Sequence, residues 1–188
     1  MNGIHRWMCR SGYWRRRLAD ELLPWVLKNL ELGREVLEVG PGPGLTTDLL
    51  RSRTHQLTAI EIDAALASSL HTRLGGGNVR VIRGDATTMP FVDAGFSAAL
   101  SFNMLHHVPS PALQDRLLRE VCRVLKPGGV FAGVDSRQSL RMRLFHIHDT
   151  LIPVDPKSFG SRLETAGFSD VVIETNERAF RFDARRPM

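Results

Sequence analysis

The chain has 188 residues, 43% of them hydrophobic, enough for a single domain with a substantial core. No run approaches the ~18 apolar residues of a membrane span, arginines at 15–17 stand where a secretory leader would carry its apolar stretch, and Cys9 and Cys122 lie too far apart in sequence to suggest a disulfide framework or a zinc site, so a reducing, cytoplasmic setting is expected. The net charge of +5 comes from 22 arginines and three lysines scattered along the chain, which reads as solvated surface and argues against nucleic acid as a partner.

Residues 2–30 read as helical, in two pieces broken around Ser11-Gly12. Leu18, Leu22, Val26 and Leu30 mark one apolar face, and Pro24 within that pattern predicts a kink or a restart. Trp7, Tyr13, Trp14 and Trp25 interleave with arginines here. They suit packing on the main body, a lid over a ligand, or an interfacial helix at an anionic membrane surface. Val36 to Val39 then reads as a buried strand running into Gly40-Pro41-Gly42-Pro43-Gly44, with an amphipathic segment from Leu45 to Leu50 beyond it. Glycines at alternate positions let backbone bend sharply and approach a ligand, since no Cβ intervenes. Such a strand, turn and helix forms a ligand cradle. The spacing is G-x-G-x-G, with Leu45 where the dinucleotide fingerprint G-x-G-x-x-G places its third glycine, which argues against a nicotinamide or flavin.

The remaining elements alternate. Strands are expected at Gln56–Glu61, Val79–Arg83, Phe96–Phe102 and Val130–Val134. Helices are expected over Ala64–Leu74, from Ser110-Pro111 to Leu125, and from Asp155-Pro156 to Ala166. Val171–Thr175 and Ala179–Asp183 flank Asn176-Glu177-Arg178 as a hairpin. This order predicts an α/β fold: a Rossmann-like three-layer sandwich on a mostly parallel seven-stranded sheet, with one antiparallel strand from the C-terminal hairpin. It is one domain over 1–188, a helical cap (1–30) on a core (31–188), with 136–154 as a short segment on the substrate side.

Ligands in such sheets bind beyond the carboxyl ends of the strands, where Gly40–Gly44, Glu61, Asp85 and Ser101–His107 all fall. Glu61, about 20 residues past the glycines, suits a carboxylate accepting from ribose hydroxyls, whereas Asp63 suits the N-cap of the next helix. Asp85 is placed to accept from an adenine amino group or to hold an Asx turn. Glu38, inside the first strand, needs a partner, either a cationic ligand or the amides of the glycine turn.

Together these residues resemble the class I S-adenosylmethionine-dependent methyltransferases, over roughly residues 36–175. The first motif of that family matches Glu38-Val39-Gly40-Pro41-Gly42-Pro43-Gly44, the acid of its second strand matches Glu61, and its adenine-contacting acid matches Asp85 in Gly84-Asp85-Ala86. Met89-Pro90-Phe91, Leu105-His106-His107-Val108 and Leu125-Lys126-Pro127-Gly128-Gly129 resemble the small-molecule, type 11 branch. The resemblance implies methyl transfer from S-adenosyl-L-methionine to a small-molecule acceptor. It implies cofactor contacts at Glu38, Gly40, Pro41, Gly42, Gly44, Glu61, Ile62, Asp85, Ala86, Ser101 and Asn103. His106 and His107, just past the fourth strand, are candidate catalytic bases beside the methyl group; the alternative is that one packs and the other meets the cofactor through backbone alone. Other outcomes are a lipid or membrane-surface methyltransferase and a non-catalytic S-adenosylmethionine-binding protein. One departure is Phe96-Ser97 where the branch carries Phe-Asp, which puts the anchoring of the fourth strand in question. Phe145-His146-Ile147-His148-Asp149 offers two imidazoles and an acid, but without a third distant ligand no metal is assigned.

Overall fold

The computed structural model describes residues 11–147 and 149–188, so Trp7, Cys9 and His148 lie outside the described residues. The N-terminal segment starts at Ser11, whose Oγ accepts from the Trp14 N–H and caps helix α1 (Gly12–Arg17). A π-helical turn over Leu18–Leu22 leads into α2 (Leu23–Leu27). The turn sits just ahead of Pro24, which cannot donate the next helical hydrogen bond; the widened loop takes up the mismatch. The expected kink is therefore a π-bulge. Leu18, Leu22 and Val26 of the stripe are at most 3% exposed, whereas Leu30 lies past the helix and is only half-buried.

The sheet follows from alternation along strands covered on both faces. β1 (Glu35–Val39) sends Leu37 and Val39 into one core and Val36 into the other. β4 (Phe96–Phe102) divides Ala99 from Ala98 and Leu100 in the same way, and β5 (Leu125–Ser136) divides Phe131 from Val130 and Ala132. One core receives α5 (Pro111–Val124) and α7 (Pro156–Thr165) through Leu117, Val121, Phe159 and Leu163. The other receives the N-terminal segment, α3 (Leu45–Leu50) and α4 (Ala64–Leu74) through Leu22, Val26, Leu50 and Leu70. With β2 (Gln56–Glu61), β3 (Val79–Arg83), β6 (Ser169–Thr175) and β7 (Ala179–Arg185), the strand order is β3-β2-β1-β4-β5-β7-β6. β7 runs antiparallel to both of its neighbours, β5 and β6, and the other pairs are parallel. The order reverses between β1 and β4, the switch point at which such sheets open a crevice.

Several boundaries differ from expectation, among them the N-terminal helix, which ends at Leu27 and not at residue 30. β5 starts at Leu125, not Val130. Leu125 pairs with Phe96 and Val130 with Ala98, so Lys126 to Gly129 bulge out, with Gly128 at φ +73°. The residues that stop α5 thus also belong to the strand. β6 and β7 are longer than read, because their ends pair with each other at Ser169 and Arg185. At the atypical Ser97, the hydroxyl lies 2.7 Å from the Leu32 carbonyl and 2.9 Å from that of Glu35, and accepts from the Glu35 N–H. It holds β4 to the entry of β1, so the anchoring questioned at this position is present in another form.

Candidate functional site

The turn after β1 is tied to β2 from two sides. Gly40 N–H donates to the Ile60 carbonyl at 2.9 Å, and Gly42 N–H to Glu61 Oε2 at 2.9 Å. Gly40 has φ +67°, and a Cβ there would come within 2.2 Å of the Met104 side chain, so the turn requires glycine at that position. The second oxygen of Glu61 accepts from Asp63 N–H at 2.9 Å. Glu61 is thereby fixed on the wall of the cavity. Burial pushes its carboxyl above the ordinary range, against the two amides. Asp63 caps α4 by accepting from Ala65 and Leu66 N–H, as its position implied.

The amides of the turn were an expected partner for Glu38; the structure assigns the Gly42 amide to Glu61 instead. Glu38 accepts from the Thr46 hydroxyl, and its other oxygen, fully enclosed, finds no donor among the described residues. Burial raises its carboxyl to about 7. A carboxyl raised in the folded state favours folding most below its unfolded value and loses that contribution as pH climbs through its folded one. Unfolding free energy is therefore expected to fall between about pH 4.5 and about 7, with Glu61 acting in the same direction. Denaturant titrations across that window should show a shallower slope for Glu38→Gln. A slope unchanged by the substitution would remove Glu38 as its source.

Asp85 holds the Asx turn that the sequence allowed. Its Oδ1 accepts from Thr87 N–H at 2.8 Å, and the residue also lines the cavity. Ile62 is 67% exposed on the same wall, an apolar platform beside the Glu61 carboxylate. Asn103 adopts φ +52°; its Oδ1 accepts from the Ser136 hydroxyl, while its enclosed Nδ2 finds no acceptor among the described residues. Gly40, Pro41, Gly42 and Ala86 also line the cavity, whereas Glu38, Gly44 and Ser101 stand behind it. Gly44 instead forms the N-terminal corner of α3 at φ +85°, and Ser101 is fully buried in β4.

The cavity measures about 710 Å³ and continues past Met104 to a pole of three imidazoles. His106 and His107 sit on the 3₁₀ turn Leu105–His107 after β4. His146 follows α6 (Leu140–Phe145) on the segment read as substrate-side. The ring centroids of His106 and His107 are 4.3 Å apart, and each lies 5.1 Å from that of His146. His106 Nδ1 is engaged by the fully buried Asp135 carboxylate at the end of β5. His146 Nδ1 lies 2.7 Å from the Met142 carbonyl, and burial lowers the affinity of that ring for a proton. Asp135 and His146 were not singled out in the sequence as parts of this pole. Asp135 had one available signal, an acid at the end of an apolar strand. Tyr13, Trp14, Arg17 and Leu18 close the cavity from the N-terminal side. Trp14 carries the Arg17 guanidinium 5.4 Å from its ring centre, and Trp25 donates through Nε1 to Glu174 at 3.1 Å.

This arrangement tests S-adenosylmethionine as a ligand. Glu61 and Asp85 offer acceptors for ribose and adenine, Ile62 an apolar face, and Asn103 an enclosed donor without an acceptor, suited to a carboxylate. The residues fit the group. Fold and cradle together define a Rossmann-like protein of the kind that binds a nucleoside cofactor at a β1/β4 switch point.

The methyltransferase-domain family profile, type 11, matches residues 37–133, just over half of the chain. The chain belongs to this family, the class I S-adenosylmethionine-dependent methyltransferases, and its cofactor is S-adenosylmethionine. It is 36% identical to an uncharacterized methyltransferase of Mycobacterium sp. strain JLS over 52% of this chain and 37% of that protein. It is 34% identical to one of Mycobacterium tuberculosis strain H37Rv over 69% and 62%. The chain thus spans about a third to three fifths of the length of these relatives. Among solved structures, phosphoethanolamine N-methyltransferase 2 of Haemonchus contortus, in complex with phosphomonomethylethanolamine and S-adenosylhomocysteine, superposes with a TM-score of 0.77 at 15% identity. That superposition covers 98% of this chain and 56% of the other, and it shows a shared fold. No helix among the described residues is long and apolar enough to cross a membrane.

Proposed function

We propose that this chain transfers a methyl group from S-adenosylmethionine to a small-molecule acceptor bound at the histidine pole. The observation that carries the reading is the single cavity joining the glycine turn to His106, His107 and His146 beneath Tyr13 and Trp14. Its volume falls in the range of small-ligand sites, ~300–1,000 Å³. When bound, S-adenosylmethionine supplies a methyl group activated on a sulfonium for in-line displacement. Glu61, Asp85 and Asn103 would hold the cofactor, with Ile62 offering an apolar face beside them. Asp135 orients His106 so that Nε2 carries the lone pair, which takes a proton from the acceptor where the acceptor must lose one. Residues 11–27 act as a cap that excludes water and shapes the acceptor end.

S-adenosylmethionine and S-adenosylhomocysteine are expected to raise the melting temperature, a ligand at a hundredfold excess over its dissociation constant adding ~2.7 kcal/mol. NADH should not. A larger shift with NADH would overturn the reading. Trp14→Ala should lower turnover roughly tenfold or more by loosening the acceptor end, with little change in cofactor affinity by calorimetry. Equal losses in both would return the segment to plain packing. Cosedimentation with anionic vesicles that reverses at high salt would place it at a lipid surface instead.

A further inference from the structure

We infer that His106, His107 and His146 form a binding site for one first-row divalent transition-metal ion, zinc foremost, with an open coordination position facing the acceptor end of the cavity. The sequence withheld a metal because the His146 segment had no distant ligand; the fold supplies two. The ligand-capable nitrogens of the three rings lie within 4.8 Å of one another. A tetrahedral centre with Zn–N bonds of ~2.0–2.1 Å holds its nitrogens roughly 3.3–3.4 Å apart, so ring rotations of about 1.5 Å or less close the set.

A second, independent observation is the way two of the rings are held. His146 Nδ1 faces the Met142 carbonyl, which can only accept, so the proton sits on Nδ1 and the lone pair on Nε2. His106 Nδ1 faces Asp135, whose carboxylate also accepts from the backbone N–H groups of His106 and Ser136. Metal-ligating histidines are characteristically held this way, with the far nitrogen donating to a carboxylate or a backbone carbonyl. Stacking alone requires neither anchor. An all-imidazole set suits zinc, copper or nickel and not magnesium or calcium, which take oxygen.

Tyr13, Trp14 and Arg137 line the same cavity, so the fourth position opens into the space proposed for the acceptor. The inference rests on the proposed function only for what enters there. An acceptor oxygen or thiol coordinated to the ion would release its proton to solvent and become the nucleophile. In the metal-loaded protein the ion takes over from His106; in the metal-free protein His106 acts alone.

The test uses untagged full-length protein, stripped with chelator and titrated with Co²⁺ in visible light. The expected result is an intense four- or five-coordinate band saturating at one equivalent and bleached by one equivalent of Zn²⁺. His146→Ala and, separately, His107→Ala should abolish the band. Asp135→Asn should weaken Zn²⁺ binding about 10–100-fold. S-adenosylmethionine titrated into each variant reports that the fold and the other end of the cavity are intact. A weak, octahedral Co²⁺ spectrum from the wild-type protein would overturn the site, as would an undiminished band in both alanine variants. Turnover that persists after chelation alongside such a spectrum removes the metal and leaves the methyl-transfer reading standing.

Discussion

Replacing Glu61 by glutamine is expected to raise the dissociation constant for S-adenosylmethionine at least tenfold in titration calorimetry. The carboxylate occupies two backbone amides at once, Gly42 on one oxygen and Asp63 on the other, and in the proposed function it accepts from the cofactor as well. Glutamine keeps one acceptor and turns an NH₂ toward an N–H, which is repulsive. Hydrogen bonds to charged groups contribute ~1.5–3 kcal/mol each, and ~1.4 kcal/mol is a factor of ten. Losing one bond therefore reaches the predicted effect, and distortion of the turn adds to it. Asp63→Asn is the control. Asparagine caps a helix about as well as aspartate, and Asp63 spends an oxygen on Ala65 and Leu66, so cofactor affinity should change by no more than about twofold. A larger effect from Asp63 than from Glu61 would mean that the wrong carboxylate has been assigned.

Gly40→Ala should be the second large loss. A Cβ meets Met104 at 2.2 Å, and the backbone sits at φ +67°, where a side chain costs ~1–3 kcal/mol. Met104 lines the cavity between the cradle and the histidines, so displacing it disturbs both ends. Cofactor affinity is expected to fall roughly tenfold or more, together with a lower melting temperature. Gly76→Ala separates strain from the site. Its φ is +93°, yet nothing lies within 4 Å of the new methyl group, so stability should drop while cofactor affinity stays. Equal binding losses at the two glycines would show that the turn has no special role.

What the sequence disclosed and what it hid divide along a physical line. The stripe Leu18, Leu22 and Val26, the caps at Asp63, Ser110 and Asp155, and the strands β1 to β4 were legible because period and capping are local properties. The β5 bulge was not, because Lys126 to Gly129 read as a helix stop and their strand role depends on Phe96, far away in the chain. Of the two partners the sequence left open for Glu38, the amides of the glycine turn are not observed, and the Gly42 amide goes to Glu61. Glu38 is the nearer acid in sequence, but it bonds Thr46 on α3, while the turn folds back over the end of β2 and onto Glu61. Ser97 shows the reverse case: a departure from the family pattern that costs no anchoring, since a hydroxyl reaches the same loop. The histidine pole was the least legible feature. His146 lies between β5 and α7 on a segment without periodicity, and only the fold sets it against His106 and His107.

The most direct test of methyl transfer at this pole is to supply methyl-labelled S-adenosylmethionine with a library of small amines, phenols, thiols and carboxylates, and to follow S-adenosylhomocysteine and labelled product by mass spectrometry. Acceptor-dependent release of S-adenosylhomocysteine is predicted, with label on one acceptor class. In His106→Ala, turnover should fall by roughly 100-fold or more, while the cofactor dissociation constant stays within about threefold. Tight cofactor binding with no labelled product from any small acceptor, or turnover undiminished in His106→Ala, would contradict it.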